Sequence, residues 1–145
     1  MSQIPNGVRT YRGSCHCGNV KFEVDLDFGA GSGRCNCTYC TKVALWGATV
    51  KPAAFRLLSD PEMLGDYSRS SLVHHRFCKR CGVRTHGHGD IPEVGGEFVS
   101  VSLNCLDDVD LSGVNVRYVD GRHDTWALIA TLPHTSPFSQ RNARA

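Results

Sequence analysis

Residues 19–27, NVKFEVDLD, set Val20, Phe22, Val24 and Leu26 in alternation with Lys21, Glu23 and Asp25. A period of two sends successive side chains to opposite faces of an extended chain, so the segment predicts a strand with one buried and one solvated face. The Gly-rich stretch GAGSG at 29–33 reads as the turn that ends it. Further strands are predicted for VRTYR, LWGATV, AFRLLS, SLVHHRF, EFVSVSL, VNVRYV and TWALIATL, each bounded by Gly, Pro, Asp or Asn. Helical signals are few. In SDPEMLGDY, Asp60 suits an N-cap, Pro61 the first helical turn and Gly65 the exit. A turn of helix is also expected after Cys37, and another within NCLDDVD. The expected fold class is therefore mainly β, a small antiparallel fold with few short helices and with cysteine clusters at its turns.

With 145 residues, of which 41% are hydrophobic and 21% charged, the chain has the size and composition of one globular domain with one core. Residues 9–132 are expected to form that domain. Residues 133–145, PHTSPFSQRNARA, lack periodicity and read as a flexible C-terminal tail. A net charge of +2 with scattered Lys and Arg offers no basic stripe for nucleic acid. No apolar run has membrane-spanning length, and MSQIPNGVRTYRG lacks the hydrophobic centre of a secretory signal. The expected location is the cytoplasm, and the oligomeric state is unassigned.

A reducing compartment changes the meaning of the eight cysteines. An even count would suggest disulfides in a secreted chain, but here metal ligation is the better default. Seven of them fall in tight clusters: Cys15 with Cys17, Cys35 with Cys37 and Cys40, and Cys78 with Cys81, while Cys105 stands apart. FCKRCGV has the form of a zinc knuckle, a C-x-x-C turn in which Gly82 supplies positive φ. Lys79, Arg80 and Arg84 around it favour thiolates. A knuckle supplies two ligands and needs two more. They can come from SCHCGNV or from two of the three cysteines in RCNCTYCTK. Pairing Cys15 and Cys17 with Cys78 and Cys81 leaves the triple cluster intact, although spacing alone does not decide this. Cys35, Cys37 and Cys40 then form a three-thiolate set whose fourth ligand is water, substrate, Cys105 or a histidine.

GSCHCGNVKFEV, CNCTYC and FCKRCGV, in that order and at these intervals, resemble the glutathione-dependent formaldehyde-activating enzyme family, which includes the centromere protein V type of zinc domain. VSVSLNCLDDVD and VRYVDGRHDTW are similar to a bacterial branch of it. The resemblance implies a β-tent fold and two zinc ions per chain. It implies a structural zinc on Cys15, Cys17, Cys78 and Cys81, and a zinc regarded as catalytic on Cys35, Cys37 and Cys40. The implied activity is that of a zinc-dependent carbon–sulfur lyase of the S-(hydroxymethyl)glutathione synthase type, with glutathione, or another thiol, and an aldehyde as small-molecule substrates. A second reading is a non-catalytic module, both zincs structural, that binds a partner or carries thiol adducts.

Other residues near the clusters have plain structural readings. Tyr39 and Trp46 are expected in the core. His16 and Asn36 sit between ligands, where a side chain normally points away from the metal. His74 and His75, adjacent in a strand, should face opposite sides. His86 and His88 in RTHGHGD are read as part of a solvated loop. Arg122 and His123 in DGRHD suit a polar turn, or a contact to a glutathione carboxylate.

Overall fold

The computed structural model describes residues 4–135. Its strands are β1 (Arg9–Ser14), β2 (Lys21–Leu26), β3 (Ser32–Cys35), β4 (Gly47–Val50), β5 (Phe55–Leu57), β6 (Leu64–Ser70), β7 (Val73–Cys78), β8 (Arg84–Ile91), β9 (Gly96–Ser102), β10 (Asn115–Val119) and β11 (Leu128–Pro133). One short helix, α1 (Thr38–Lys42), follows β3, and the other helical segments are single 3-10 turns. The fold is mainly β, as the alternating pattern implies. Backbone contacts divide the chain into two compact units. No helix of the described residues is long and apolar enough to cross a membrane.

The first unit comprises residues 9–26 and 47–107 and holds four clustered cysteines. β1, β2 and β5 form an antiparallel sheet in that order, while β4, β9, β8, β7 and β6 hydrogen-bond in antiparallel succession. Alternation along β2 does what the sequence suggests: Val20, Phe22 and Val24 are fully buried and Leu26 is nearly so. The ring of Phe22 stacks on Phe55 of β5 at 5.3 Å, and Phe55 meets His86 of β8 at 4.5 Å. These rings join the inner faces of the two sheets. On the solvated face of β2, Arg56 donates to Glu23 and to Asp25, each at 2.7 Å. The hydrogen bonds from Arg56 hold the Asp25 carboxyl below its usual range.

Among the described residues, the second unit comprises 4–8, 27–46 and 108–135. Its strands run in the order β11, β10, β3. β10 and β11 are antiparallel, but β3 and β10 are parallel, with Cys35 opposite Val119. Trp46 is 1% exposed and donates from Nε1 to the Ser32 hydroxyl at 2.7 Å. Its ring stacks on His134 at 4.0 Å. Trp46 is therefore a core residue, as expected.

Several local expectations change. SDPEMLGDY is not a helix: Asp60 does cap by accepting from Glu62 N at 2.9 Å, but only a 3-10 turn, Pro61–Met63, follows before β6 begins. Gly65 is a strand residue whose missing Cβ leaves room for the Phe77 ring. RTHGHGD is not a solvated loop but most of β8, and His86 is 5% exposed. Gly87 and Gly89 hid this strand because no apolar alternation remains around them. GAGSG ends in β3, and the parallel pairing of that strand departs from a wholly antiparallel fold. Pro133 closes β11, and His134 exchanges backbone hydrogen bonds with Gly113 and Val114. The rest of the expected tail, from residue 136, lies outside the described residues.

Burial holds His86 neutral, its pKa pushed down to about 3 with help from Arg76 and Arg84. The folded value lies below the unfolded one of about 6.5. The stability that neutral His86 contributes is therefore complete above that value and is lost as pH falls toward 3. We expect His86→Gln to flatten part of the acid side of the stability profile. Urea unfolding of wild type and variant between pH 7.5 and 5 checks this, and identical slopes in both would show that His86 does not contribute.

Candidate metal centres

Cys15 and Cys17 sit in the turn joining β1 to β2, Cys78 ends β7, and Cys81 lies in the turn that leads to β8. Their sulfurs all lie within 4.8 Å of one another. Cys15 and Cys17 are 3.7 Å apart at sulfur, and Cys17 and Cys78 are 3.6 Å apart, although 61 positions separate the latter pair in sequence. Two residues one position apart on an extended strand are about 6.6 Å apart, so the C-x-C pair meets only because the chain bends there. Gly18 N donates to Cys15 O and Val20 N to Cys15 Sγ, which makes the bend. In the second turn Gly82 takes φ +79°, the left-handed value expected of it.

Backbone amides supply most of the polar support. Arg80 N and Cys81 N donate to Cys78 Sγ at 3.3 and 3.4 Å. The amide of Cys81, then that of Arg80, draws the Cys78 thiol down. Burial opposes ionisation of Cys81, yet amides of Val83 and Cys17 and its thiol neighbours bring it to about 6. At Cys17 the Asn19 amide favours the thiolate, but burial and three neighbouring thiols outweigh it and raise the value to about 11. Protons are thus shared unevenly among the sulfurs. Ionising all of them at this separation requires a cation between them.

The second group brings together Cys35, Cys37 and Cys40, again with all sulfurs within 4.8 Å. Cys35 ends β3, Cys37 is the N-cap of α1, and Cys40 lies in its first turn. Cys37 N donates to Cys35 Sγ at 3.3 Å, and Cys40 N to Cys37 Sγ at 3.4 Å. Burial raises the thiols of Cys35 and Cys40, and interactions with Cys37 push Cys40 further up. Burial also opposes ionisation of Cys37, but the Cys40 amide and the neighbouring thiols lower it. One thiolate flanked by two thiols is the arrangement these groups prefer by themselves.

Among the described residues no histidine, carboxylate or further cysteine joins this group. Cys105 is buried elsewhere, its thiol donating to the Arg84 carbonyl. Histidines are also engaged away from it: His74 with Asp66, His75 with Arg84 and His123 with Asp120. Asn36 points away from the sulfurs, as expected, and its amide donates to Asp120 Oδ1 at 3.0 Å. Arg122 closes this contact, donating from N to Asn36 Oδ1 and from Nε to Asn36 O, both at 2.9 Å. Bonds from Asn36, His123 and Thr125 hold Asp120 ionised, its pKa lowered to about 2. DGRHDTW is therefore an ordered brace behind the cysteine loop. Only its polar-turn character was legible in sequence.

Backbone conformation around this group is unusual. Ala44, Asp124 and Trp126 have φ of 52°, 59° and 56°, three of the four left-handed non-glycine residues described. Such residues cluster at functional sites. Ala44 occupies the position after α1 that glycine normally takes, with Leu45 N returning to Cys40 O at 2.9 Å. Without a glycine there, sequence gave no sign of the exit. At Gly121 a Cβ would land on Cys35 Sγ and against the ring of Trp126. Its amide also supports the Cys35 thiolate.

A cavity of about 530 Å³ adjoins the group. Cys35 and Cys40 line it together with Leu45, Val119, Ile129 and Leu132. The sequence did not indicate a cavity, since it is made by β10, β11 and the exit of α1.

Two sets of thiols, one of four and one of three beside a cavity, on a mainly β scaffold define a protein with two candidate metal centres. A family model described as "Glutathione-dependent formaldehyde-activating enzyme" matches residues 10–120, a span that contains every cysteine. The chain belongs to this family. It is also similar to a Rhodobacter sphaeroides protein of known crystal structure, at a TM-score of 0.60 and 31% identity, over 68% of this chain and 89% of that one.

The close approach of Gly121 to Cys35 gives a direct test. Gly121→Ala should weaken metal retention by the three-cysteine group about 10- to 100-fold, the range seen when support behind a ligand is lost. Retention by the four-cysteine group should not change. Chelator competition against the cobalt-loaded protein resolves the two, and equal retention by wild type and variant at both groups would show that the Gly121 contact is immaterial.

Proposed function

We propose that this protein is a zinc-dependent carbon–sulfur lyase of the S-(hydroxymethyl)glutathione synthase type, acting on adducts of glutathione, or a related thiol, with an aldehyde. The observation that carries this reading is the inequality of the two thiol groups. Structural zinc sites have four protein ligands, whereas catalytic ones have three and leave room for substrate. Cys15, Cys17, Cys78 and Cys81 match the first case, and the sulfur separations of 3.7 Å for Cys15–Cys17 and 3.6 Å for Cys17–Cys78 fit the roughly 3.8 Å expected between thiolates on one zinc. Cys35, Cys37 and Cys40 match the second. A cytoplasmic location belongs to the same reading, because a reducing compartment keeps such thiols free.

Zinc on three thiolates is a modest Lewis acid suited to holding a soft thiol and lowering its pKa. The chain's own contribution lies in charge placement and proximity. Amides of Cys37 and Gly121 point at Cys35 Sγ and that of Cys40 at Cys37 Sγ, offsetting part of the charge that ionised sulfurs would carry. The Asn36, Asp120 and Arg122 bonds fix the loop that carries Cys35 and Cys37. The adjoining cavity places the aldehyde close to the thiol. In the forward direction a sulfur–carbon bond forms, the carbonyl π bond opens, and the thiol proton passes to the carbonyl oxygen. Thiol addition to formaldehyde is already facile, so positioning is the main source of acceleration.

The exchange between glutathione, formaldehyde and their adduct can be followed by magnetization-transfer NMR. Zinc-loaded protein should accelerate it, and Cys40→Ser should reduce the acceleration at least about tenfold while leaving one zinc bound. Rates equal to those without protein, or loss of zinc to millimolar glutathione with no acceleration, would instead favour a non-catalytic module.

A further inference from the structure

The cavity beside the three-cysteine group does not match the charged parts of glutathione. That peptide carries two carboxylates and an ammonium group, yet Arg34 is the one ionic side chain apart from the cysteines among the residues that line it. Arg34 is also placed over the Trp46 ring, 6.0 Å from its centroid. The remaining lining is dominated by aliphatic groups, and Ile129 and Leu132 are 59% and 54% exposed. Apolar surface of this kind, concave and adjoining reactive thiols, binds hydrocarbon. Formaldehyde has no carbon chain to fill it, while the volume of about 530 Å³ accommodates one several carbons long.

We propose that the cavity binds the aliphatic chain of an aldehyde larger than formaldehyde, with the carbonyl end toward Cys35 and Cys40. This rests on the lyase reading above and specifies its aldehyde. Charged ends of the thiol partner then lie outside the cavity. Ile129 and Leu132 act as specificity-determining residues, since they offer the exposed apolar area that the chain would cover.

Unreactive n-alkanols from methanol to hexanol probe the cavity without chemistry. Their binding to the zinc-loaded protein, read by saturation-transfer NMR, should tighten about three- to fourfold per added methylene, the increment that burial of a methylene supplies. Ile129→Asp should flatten the series. Val94→Asp, at an apolar position 68% exposed in the other unit, should retain it. A flat series in wild type, or a series unaffected by Ile129→Asp, would overturn the proposal. Parallel rates with glutathione separate this from the parent reading. Acceleration with formaldehyde but a flat alkanol series would sink the chain-binding proposal alone. A graded series without acceleration for any aldehyde from formaldehyde to hexanal would sink the lyase reading and preserve the cavity assignment. When both hold, the acceleration over the uncatalysed reaction should be larger for butanal than for formaldehyde.

Discussion

Thiolates packed within 4.8 Å repel one another, and this repulsion governs how the cysteine turns are built. Each sulfur group is surrounded by backbone N–H donors, which offset part of the charge without adding side chains to a crowded turn. The uneven proton affinities of the thiols show that amides alone do not suffice. A cation held among the sulfurs would complete the balance. Its binding free energy, about 10–16 kcal/mol for structural zinc in small domains, rivals the stability of an ordinary fold. In the four-cysteine unit Val20 and Leu64 share one buried cluster with Cys15 and Cys78, so a metal held there would couple its binding to core formation.

The three-cysteine group solves the same problem with a different neighbourhood. Two of its sulfurs border an apolar cavity, and its loop is braced by hydrogen bonds that converge on Asp120. Left-handed residues on both sides carry a cost of roughly 1–2 kcal/mol each, which the brace and the α1 exit must offset. That combination of strain, support and open surface is what distinguishes it from its four-cysteine counterpart.

Much of this was legible from residue order. Alternation at Val20, Phe22, Val24 and Leu26 located β2 and its buried face, and C-x-x-C-G located the second cysteine turn. Ligand counting left the sorting of seven cysteines into four and three open, the family resemblance implied it, and the sulfurs converge in those two groups. Other features depend on contacts distant in sequence. β8 was hidden because Gly87 and Gly89 make room for neighbouring groups instead of contributing apolar side chains. The helix expected after Asp60 gave way to β6 because pairing with β7 satisfies the backbone from Leu64 onward. The brace joins Asn36 to Asp120, 84 positions away, and the cavity is made by elements from both ends of the chain, so no local pattern announces either.

The central claim is the division of the cysteines into two independent metal centres of different kinds. Counting zinc ions per chain by native mass spectrometry, for wild type and for Cys35→Ser, tests it most directly. The account predicts two zinc ions in wild type and one in a variant that remains folded. A single ion in wild type, or a variant that retains both or loses both, would contradict it.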